Sequence, residues 1–371
     1  MVKDKIKSIT FLISGLTKGG SERVIAILSN EYVKKNIKIN VISMRSTICA
    51  YEFDSKVNVV FLDKGSQLSE SFYSLNPYKI FYSLFRLYKV LRKQNPDIIV
   101  SFGESSNVYA IFSKLFLKIK VVIAMRQDPI RISLLIRFIV KLFYKYADHL
   151  IVQTQYQKKW SKQYFKKLEI TQINNPIPFQ FSRNNYFQNK KDIDFLSVGT
   201  IKEEKNYADT IIAYNNIKNR LNREAKLYIA GRFMTEYDKK QIQSLIDKHN
   251  LKEKIVLLGN IEDINPVFQR AKIYILSSSN EGQPNALLES MSHGIPCITS
   301  RWSGADDIFT NNHNAMMFDV GDIDKLSYLM LDLFNNEDLR NRIGENGYNF
   351  CRENFEKDLM INKWLNLLNS I

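Results

Sequence analysis

Two glutamates, Glu281 and Glu289, stand eight positions apart in the segment SSSNEGQPNALLESMS, residues 277–292. An apolar strand ends at Ser277, a polar loop containing Gly282 follows, and a helix begins near Pro284 with Asn285, Ala286 and Leu287 in its first turn. The free amides of that turn, reinforced by the helix dipole, suit a diphosphate. The two carboxylates add acceptors for hydroxyls: one chelates the vicinal diol of a ribose, the other accepts from the hydroxyls of a sugar. Elsewhere two acids at this separation would read as solvated surface charge. Here the apolar strand before them and the Gly-Pro start of the helix set them apart and point to a nucleotide-sugar site.

Such a site has to be positioned by a sheet, and the flanking sequence supplies one. DFLSVG (194–199), KLYIAG (226–231), KIVLLG (254–259), KIYILS (272–277) and PCITS (296–300) read as buried parallel strands, several ending directly in glycine, as close backbone approach to a ligand at a carboxyl edge requires. The first half repeats the scheme with ITFLIS (9–14), INVISM (39–44), DIIVSF (97–102), VVIAM (121–125) and HLIVQT (149–154). Helical apolar spacing fills Glu22 to Lys34, Tyr78 to Lys93 and Leu134 to Tyr146 between them. Strand–helix alternation predicts two α/β domains, at 1–175 and 193–352, joined by a linker at 176–192 inside the Pro- and Asn-rich stretch NNPIPFQFSRNNYFQNKKD (174–192). An amphipathic stretch from Phe355 to Leu368, within a terminal segment at 353–371, is expected to pack back on the first domain.

Composition agrees with two globular domains: 371 residues, 45% apolar and 25% charged. Cys49, Cys297 and Cys351 are far apart with no CxxC spacing, which fits a reducing compartment rather than a disulfide framework. The short apolar run at the N-terminus has no cleavage-site pattern after it, and no stretch approaches the ~20 apolar residues of a membrane span. Charge is split unevenly. Residues 1–185 hold 30 Lys and Arg against 12 Asp and Glu, a net +18, while the remainder holds 23 against 26, a net −3, so the two halves face different partners.

EGQPNALLE at 281–289 and the order of VLLGNIEDINPVFQRAKIYILSSSNEGQPNALLESMSHGIPCITS (256–300) resemble the retaining glycosyltransferases of family 4, whose signature is E-G-x-P-N-x-x-L-E. The resemblance implies the GT-B fold, two Rossmann-like parallel-sheet domains facing a cleft, and a transferase that needs no metal or other cofactor. It assigns the transferred sugar to Glu281 and the ribose to Glu289, with Gly282, Asn285, Ala286 and Leu287 at the donor. Around Gly199 the family reads G-R-x-x-x-x-K, the arginine and lysine clamping the diphosphate. This chain reads GTIKEEKN (199–206), so Lys205 matches and Thr200 replaces the arginine, leaving Arg232 or Lys202 to supply the charge. Asp307 stands where the family has a glutamate, and His293 reads as a spacer.

On the first domain, GLTKGGSER (15–23) places Gly19 and Gly20 in a turn whose amides can approach an anion, and it resembles the G-G-x-E-R segment of the family, with Glu22 and Arg23 less firmly placed. MRQDP (125–129) resembles the E-R-N-D-P segment of capsule, O-antigen and lipid-linked-oligosaccharide transferases, which brings in Arg126, as a catalytic group with Glu281 and Lys205, and Asp128 on the acceptor side. Glu104 in SFGESSN is a further contact for an acceptor hydroxyl; His149, which begins a strand, is given no role. PYKIFYSLFRLYKVLRK (77–93) and RISLLIRFIVKLFYKY (131–146) mix aromatics, aliphatics and cations at helical spacing and are expected at the inner face of the plasma membrane, with the protein cytoplasmic and peripheral. The expected partners are therefore a nucleotide sugar, a lipid-linked glycan and a membrane surface, and not nucleic acid. Two rivals make different predictions: a non-hydrolysing nucleotide-sugar epimerase yields product from donor alone, and a basic nucleic-acid-binding protein shows salt-dependent RNA or DNA binding.

Overall fold

A computed structural model describes residues 5–17, 19–62, 77–130, 132–177 and 191–371. Residues Met1–Pro176 with Lys357–Ile371 form one unit and Ile177–Glu356 the other. The first unit is built on a parallel sheet of strands β1 (Ser8–Ile13), β2 (Lys38–Ser43), β3 (Asn58–Phe61), β4 (Ile98–Phe102), β5 (Lys120–Ala124), β6 (His149–Val152) and β7 (Glu169–Gln172), in the order β3-β2-β1-β4-β5-β6-β7. Alternation along each strand sends neighbours to opposite faces: Phe11 and Ile13 join one core, and Leu12 joins the other. Helices α1 (Gly20–Lys34), α2 (Pro77–Gln94), α3 (Glu104–Phe116), α4 (Leu134–Phe143) and α5 (Gln155–Tyr164) cover the sheet. The core holding Phe11 takes its helical side from α1 and from the helix at Lys357–Ser370, and the core holding Leu12 from α2 to α5.

The second unit carries β8 (Ile193–Val198), β9 (Leu227–Ala230), β10 (Ile255–Gly259), β11 (Ala271–Leu276), β12 (Cys297–Ser300) and β13 (Met316–Phe318), in the order β10-β9-β8-β11-β12-β13. Its helices are α6 (Tyr207–Ile217), α7 (Glu236–Lys248), α8 (Asn265–Arg270), α9 (Asn285–Ser292), α10 (Ile323–Asn335) and α11 (Glu337–Phe355). The order in which strands are added reverses between β1 and β4 in one sheet and between β8 and β11 in the other, every pair being parallel. These reversals are the points where an open parallel sheet leaves a crevice at its carboxyl edge. Both units are Rossmann-like, and all the strands expected from the sequence form. The additional strands β3, β7 and β13 are short and lie at sheet edges; NVVF and EITQ are partly exposed, so they lack the buried apolar run that marks an inner strand.

The Pro- and Asn-rich stretch at 174–192 lies largely outside the described residues. The chain passes from one unit to the other where this stretch begins: the Ile173 amide donates to Val152 O in the first unit and the Ile177 amide to Phe355 O in the second, both at 3.0 Å. The amphipathic stretch read from Phe355 does not begin there. Phe355 closes α11 in the core of the second unit, Glu356 is extended, and a separate helix α12 (Lys357–Ser370) buries Ile361, Trp364 and Leu368 in the core of the first. Likewise the helix read to Tyr146 gives way after Phe143 to a 3₁₀ turn at Tyr144–Tyr146.

Candidate functional site

In the second unit, the loops leaving β8 and β11, the strands that flank the reversal, meet. After Val198 the chain turns through Gly199 and Thr200 into a 3₁₀ turn, Glu203–Lys205, and enters α6 through Asn206 in the left-handed region (φ 49°). Lys205 Nζ donates to Glu281 Oε1 at 2.6 Å, both side chains being largely buried. A row of serines stitches the two loops together. Ser277 Oγ reaches Lys205 O and Asn206 O at 2.9 and 2.8 Å, Ser278 Oγ donates to Glu281 Oε1 at 2.7 Å, and the Ser279 amide donates to Glu204 O at 2.8 Å. Glu281 is thus fixed from two sides. The SSS run at the end of β11 is the sequence signal for this stitching.

The glycines at this edge are dictated by space. Gly231, after β9, has φ 155°, and a Cβ there would lie 1.9 Å from Gly199 O. Gly199 has φ 153°; its amide donates to Ala230 O and its carbonyl accepts from Tyr207 Oη, each at 2.9 Å. Backbones of two adjacent loops therefore pass in direct contact, and no side chain fits between them. Thr200 is half-buried beside them. Arg232 is exposed, its carbonyl accepts the Ile201 amide, and its guanidinium has no ion-pair partner among the described residues. Lys202 does pair, with Glu204 on the outer side of the turn, so of the two cations considered for the missing arginine only Arg232 has its charge unneutralised.

Gly282 and Gln283 lead into α9, whose first ladder bond runs from the Leu288 amide to Pro284 O (3.1 Å), leaving the amides of Asn285, Ala286 and Leu287 ahead of the ladder. The Leu287 side chain is buried in the core with Leu288 and Met291, so only its amide can face a ligand; burial of those three side chains seats the helix, at about 1.5–3 kcal/mol each. Glu289, in the second turn, is buried (3% exposed). His293 does more than space helix from strand: its Nδ1 meets Glu289 O at 2.9 Å and its ring packs on Phe268, while burial lowers its pKa. A neutral imidazole donating from Nδ1 caps the end of α9. Asp307 lies exposed at the end of a 3₁₀ turn, Ala305–Asp307, whose Ala305 is buried.

The corresponding edge of the first unit is differently made. Gly19 caps α1 in extended conformation; its amide donates to Tyr51 Oη (3.0 Å) and its carbonyl accepts from the same hydroxyl (2.7 Å), a partner the sequence did not suggest. Gly20 opens the helix. After β4, Gly103 (φ 90°) lets Glu104 begin α3, and Ser14, beyond β1, meets Ser105 and Ser106 at 2.9 and 3.1 Å. Glu104 is half-buried, and loss of hydration pushes its carboxyl pKa up against a smaller lowering from its own amide. After β5, Asp128 is buried and turns inward to accept the Ile130 amide at 2.9 Å. Arg126 donates through Nη1 to Asn175 Oδ1 at 2.6 Å and stacks on Phe102. His149 bonds Thr171 across β6 and β7. Among the described residues no cluster of His, Cys, Asp and Glu has the make-up of a metal site, and no helix is long and apolar enough to cross a membrane.

Two family models match the chain: "Glycosyl transferases group 1" over residues 178–350 and "Glycosyltransferase Family 4" over residues 18–181. An alpha-1,4-N-acetyl-D-galactosaminyltransferase of Campylobacter jejuni subsp. jejuni serotype O:2, named for the acceptor GalNAc-alpha-(1->4)-GalNAc-alpha-(1->3)-diNAcBac-PP-undecaprenol, is 25% identical over 97% of this chain and 98% of its own length. The amylovoran biosynthesis glycosyltransferase AmsD of Erwinia amylovora is 22% identical over 97% of this chain and 99% of its own. Among solved structures, sucrose-phosphate synthase from Thermosynechococcus elongatus superposes with a TM-score of 0.82 at 14% identity, covering 98% of each chain. HepE from Anabaena in complex with UDP and glucose does so with a TM-score of 0.79 at 14% identity, covering 98% of this chain and all of that one. At such identities the structures show the fold, which is GT-B.

Proposed function

For a chain that belongs to the family 4 glycosyltransferases, we propose transfer of a sugar from a UDP-sugar to a hydroxyl of a lipid-linked glycan, with retention of anomeric configuration. Its relatives are glycosyltransferases of glycan and polysaccharide assembly, and so is this chain. The observation that carries the finer reading is the Lys205–Glu281 pair, held by Ser278 beside the N-terminus of α9. In this reading Glu281 accepts from the hydroxyls of the transferred sugar, and Glu289 chelates the ribose. Lys205, the amides ahead of α9 and Arg232 neutralise the diphosphate as it leaves. Catalysis then rests on positioning and on charge stabilisation, with the acceptor hydroxyl attacking the face from which the diphosphate departs. Lys205 and Arg232 supply the positive charge that a metal would otherwise bring, so activity should survive chelation by EDTA.

UDP is favoured because a GT-B protein of the same architecture, HepE, binds it, and a lipid-linked acceptor because the Campylobacter relative is named for one. The surface of the first unit suits such an acceptor. On α2, Phe81 is 73% exposed and Tyr78 and Tyr82 lie open beside it; on α4, Phe138 is 64% exposed, next to Leu134 and Leu142. Lys79, Arg86, Lys89, Arg92 and Lys93 on α2, with Arg137 and Lys141 on α4, stand among these side chains, and neither helix has an acidic residue in its first turn. Apolar groups interleaved with cations suit the interface of an anionic bilayer on the cytoplasmic side.

The test is a transfer assay with undecaprenyl-diphosphate glycans and a panel of UDP-hexoses, UDP-N-acetylhexosamines and GDP-mannose. NMR then reads the anomeric configuration of the product. One UDP-sugar should be consumed only when acceptor is present, giving product of the donor's configuration. Consumption without acceptor would favour an epimerase, and an inverted product would sink the retaining mechanism.

A further inference from the structure

Arg126 is a cation without a counter-ion among the described residues. Its guanidinium lies 4.3 Å from the ring of Phe102 and 5.6 Å from that of Trp364, and the two rings stack on one another at 5.7 Å. Nη1 is held by Asn175 Oδ1, but Nε and Nη2 are shut off from solvent with no hydrogen-bond partner among the described residues. The nearby acid in sequence, Asp128, serves the Ile130 amide instead, and no carboxylate pairs with Arg126 among the described residues. The indole Nε1 of Trp364 is also buried and unpartnered. Burial without compensation draws the Arg126 pKa down to about 9.

Orphaned buried donors are rare in native proteins, and a buried charge that lacks a partner is strongly destabilising, so two such donors on one guanidinium, with a third on the tryptophan beside it, call for an occupant. The chemistry of the unfilled edge identifies it. With Nη1 engaged, Nε–H and Nη2–H remain as the two parallel donors on one side of the planar fork, spaced for two oxygens of a single phosphate or carboxylate.

We propose that this edge of Arg126, together with the Trp364 indole N–H, receives an oxyanion carried by the acceptor, either a phosphoryl group of the lipid linkage or the carboxylate of an acidic sugar. The inference rests on the reading that the acceptor docks on the first unit. It makes α12, at the end of the chain, part of acceptor recognition, through a tryptophan whose polar atom has no structural partner.

Thermal unfolding of the full chain in chloride buffer, with inorganic phosphate or glucuronate added at matched ionic strength, tests it. Wild type should gain several degrees with one of the two, phosphate indicating a phosphoryl source and glucuronate an acidic sugar. Lys205→Ala should keep that gain, which separates it from phosphate bound at the donor site. Arg126→Met should melt in chloride at or above the wild-type temperature and lose the gain, because an apolar group of similar size removes the uncompensated charge. Absence of a gain from both anions in wild type, or an equal gain in Arg126→Met, overturns the proposal. If Arg126→Met does not fold, the Arg126 Nε–H resonance of the wild type, assigned with Arg126→Lys, decides: a saturable displacement by either anion supports the site, and a fixed resonance overturns it. Neither readout needs donor or turnover. Loss of transfer activity with the anion response intact would therefore overturn the glycosyltransfer reading alone.

Discussion

The two sheets end in crevices of the same topological origin, yet charge is handled in opposite ways at their carboxyl edges. In the second unit the cation and the acid are paired, Lys205 on Glu281, and a serine hydroxyl completes the carboxylate's partners. In the first unit two charged groups stand apart among the described residues: Glu104 is bonded by its own amide, and Arg126 by a neutral asparagine. A paired site is preorganised and exchanges one set of partners for another when a ligand enters. An unpaired one stores a desolvation cost that an incoming group of the right charge relieves. The difference suits a donor whose diphosphate is always the same, set against an acceptor that has to be selected.

The sharpest way to break the comparison is at the pair. Lys205→Ala should lower kcat/KM for transfer by about a hundredfold to a thousandfold, the scale of losing one preorganised charge at a developing anion. Glu289→Ala should weaken binding of the nucleotide sugar by about tenfold or more without altering the fold, read by saturation-transfer NMR. Activity of Lys205→Ala near that of wild type would remove the pair from the chemistry.

The glycines sharpen it next. Gly231→Ala should cost about 2–4 kcal/mol in urea unfolding, because its φ is 155° and the added methyl meets the backbone of Gly199 at 1.9 Å. Gly19→Ala on the first unit should cost under about 1 kcal/mol: its backbone is extended, and the methyl meets only the movable carboxylate of Glu22. Comparable losses at the two positions would contradict the difference in rigidity between the turns. On the outer surface of the first unit, Phe81→Ser combined with Phe138→Ser should reduce co-sedimentation with phosphatidylglycerol vesicles by about tenfold or more, while leaving the melting temperature unchanged, since both rings face solvent.

The smallest effect concerns Glu104. Its folded pKa is raised, so below the unfolded carboxylate range both states are protonated and the group contributes nothing. As pH rises above the unfolded range towards the folded pKa, only the folded state resists ionisation, so stability falls until the folded pKa is passed. Glu104→Gln should therefore be more stable than wild type at pH 7.5, with the difference shrinking as pH falls below the unfolded carboxylate range, in denaturant titrations. Equal stability of the two at pH 7.5 would mean that the carboxyl keeps its hydration.

Much of this was legible in the sequence. Inner strands of a parallel sheet are continuous apolar runs, helices between them carry a 3.6-residue stripe, and both signals survive without tertiary context. EGQPNALLE encoded its own geometry, because a strand end, a glycine loop and a proline helix start fix where Glu281 and Glu289 lie relative to the amides between them. The edge strands β3 and β7 escaped because half-exposed, polar-laced segments lose that signal. What only the tertiary structure decided are relations between residues distant in the chain. Lys205 finds Glu281 across 76 positions, Gly231 must be bare because Gly199 passes beside it, and Arg126 meets Trp364 because the chain returns from the second unit at Lys357 to lay α12 on the first. Local sequence sets dihedral preferences and burial period. Which charges are paired and which are left waiting depends on the packing of loops from separate strands, and no local pattern carries that information.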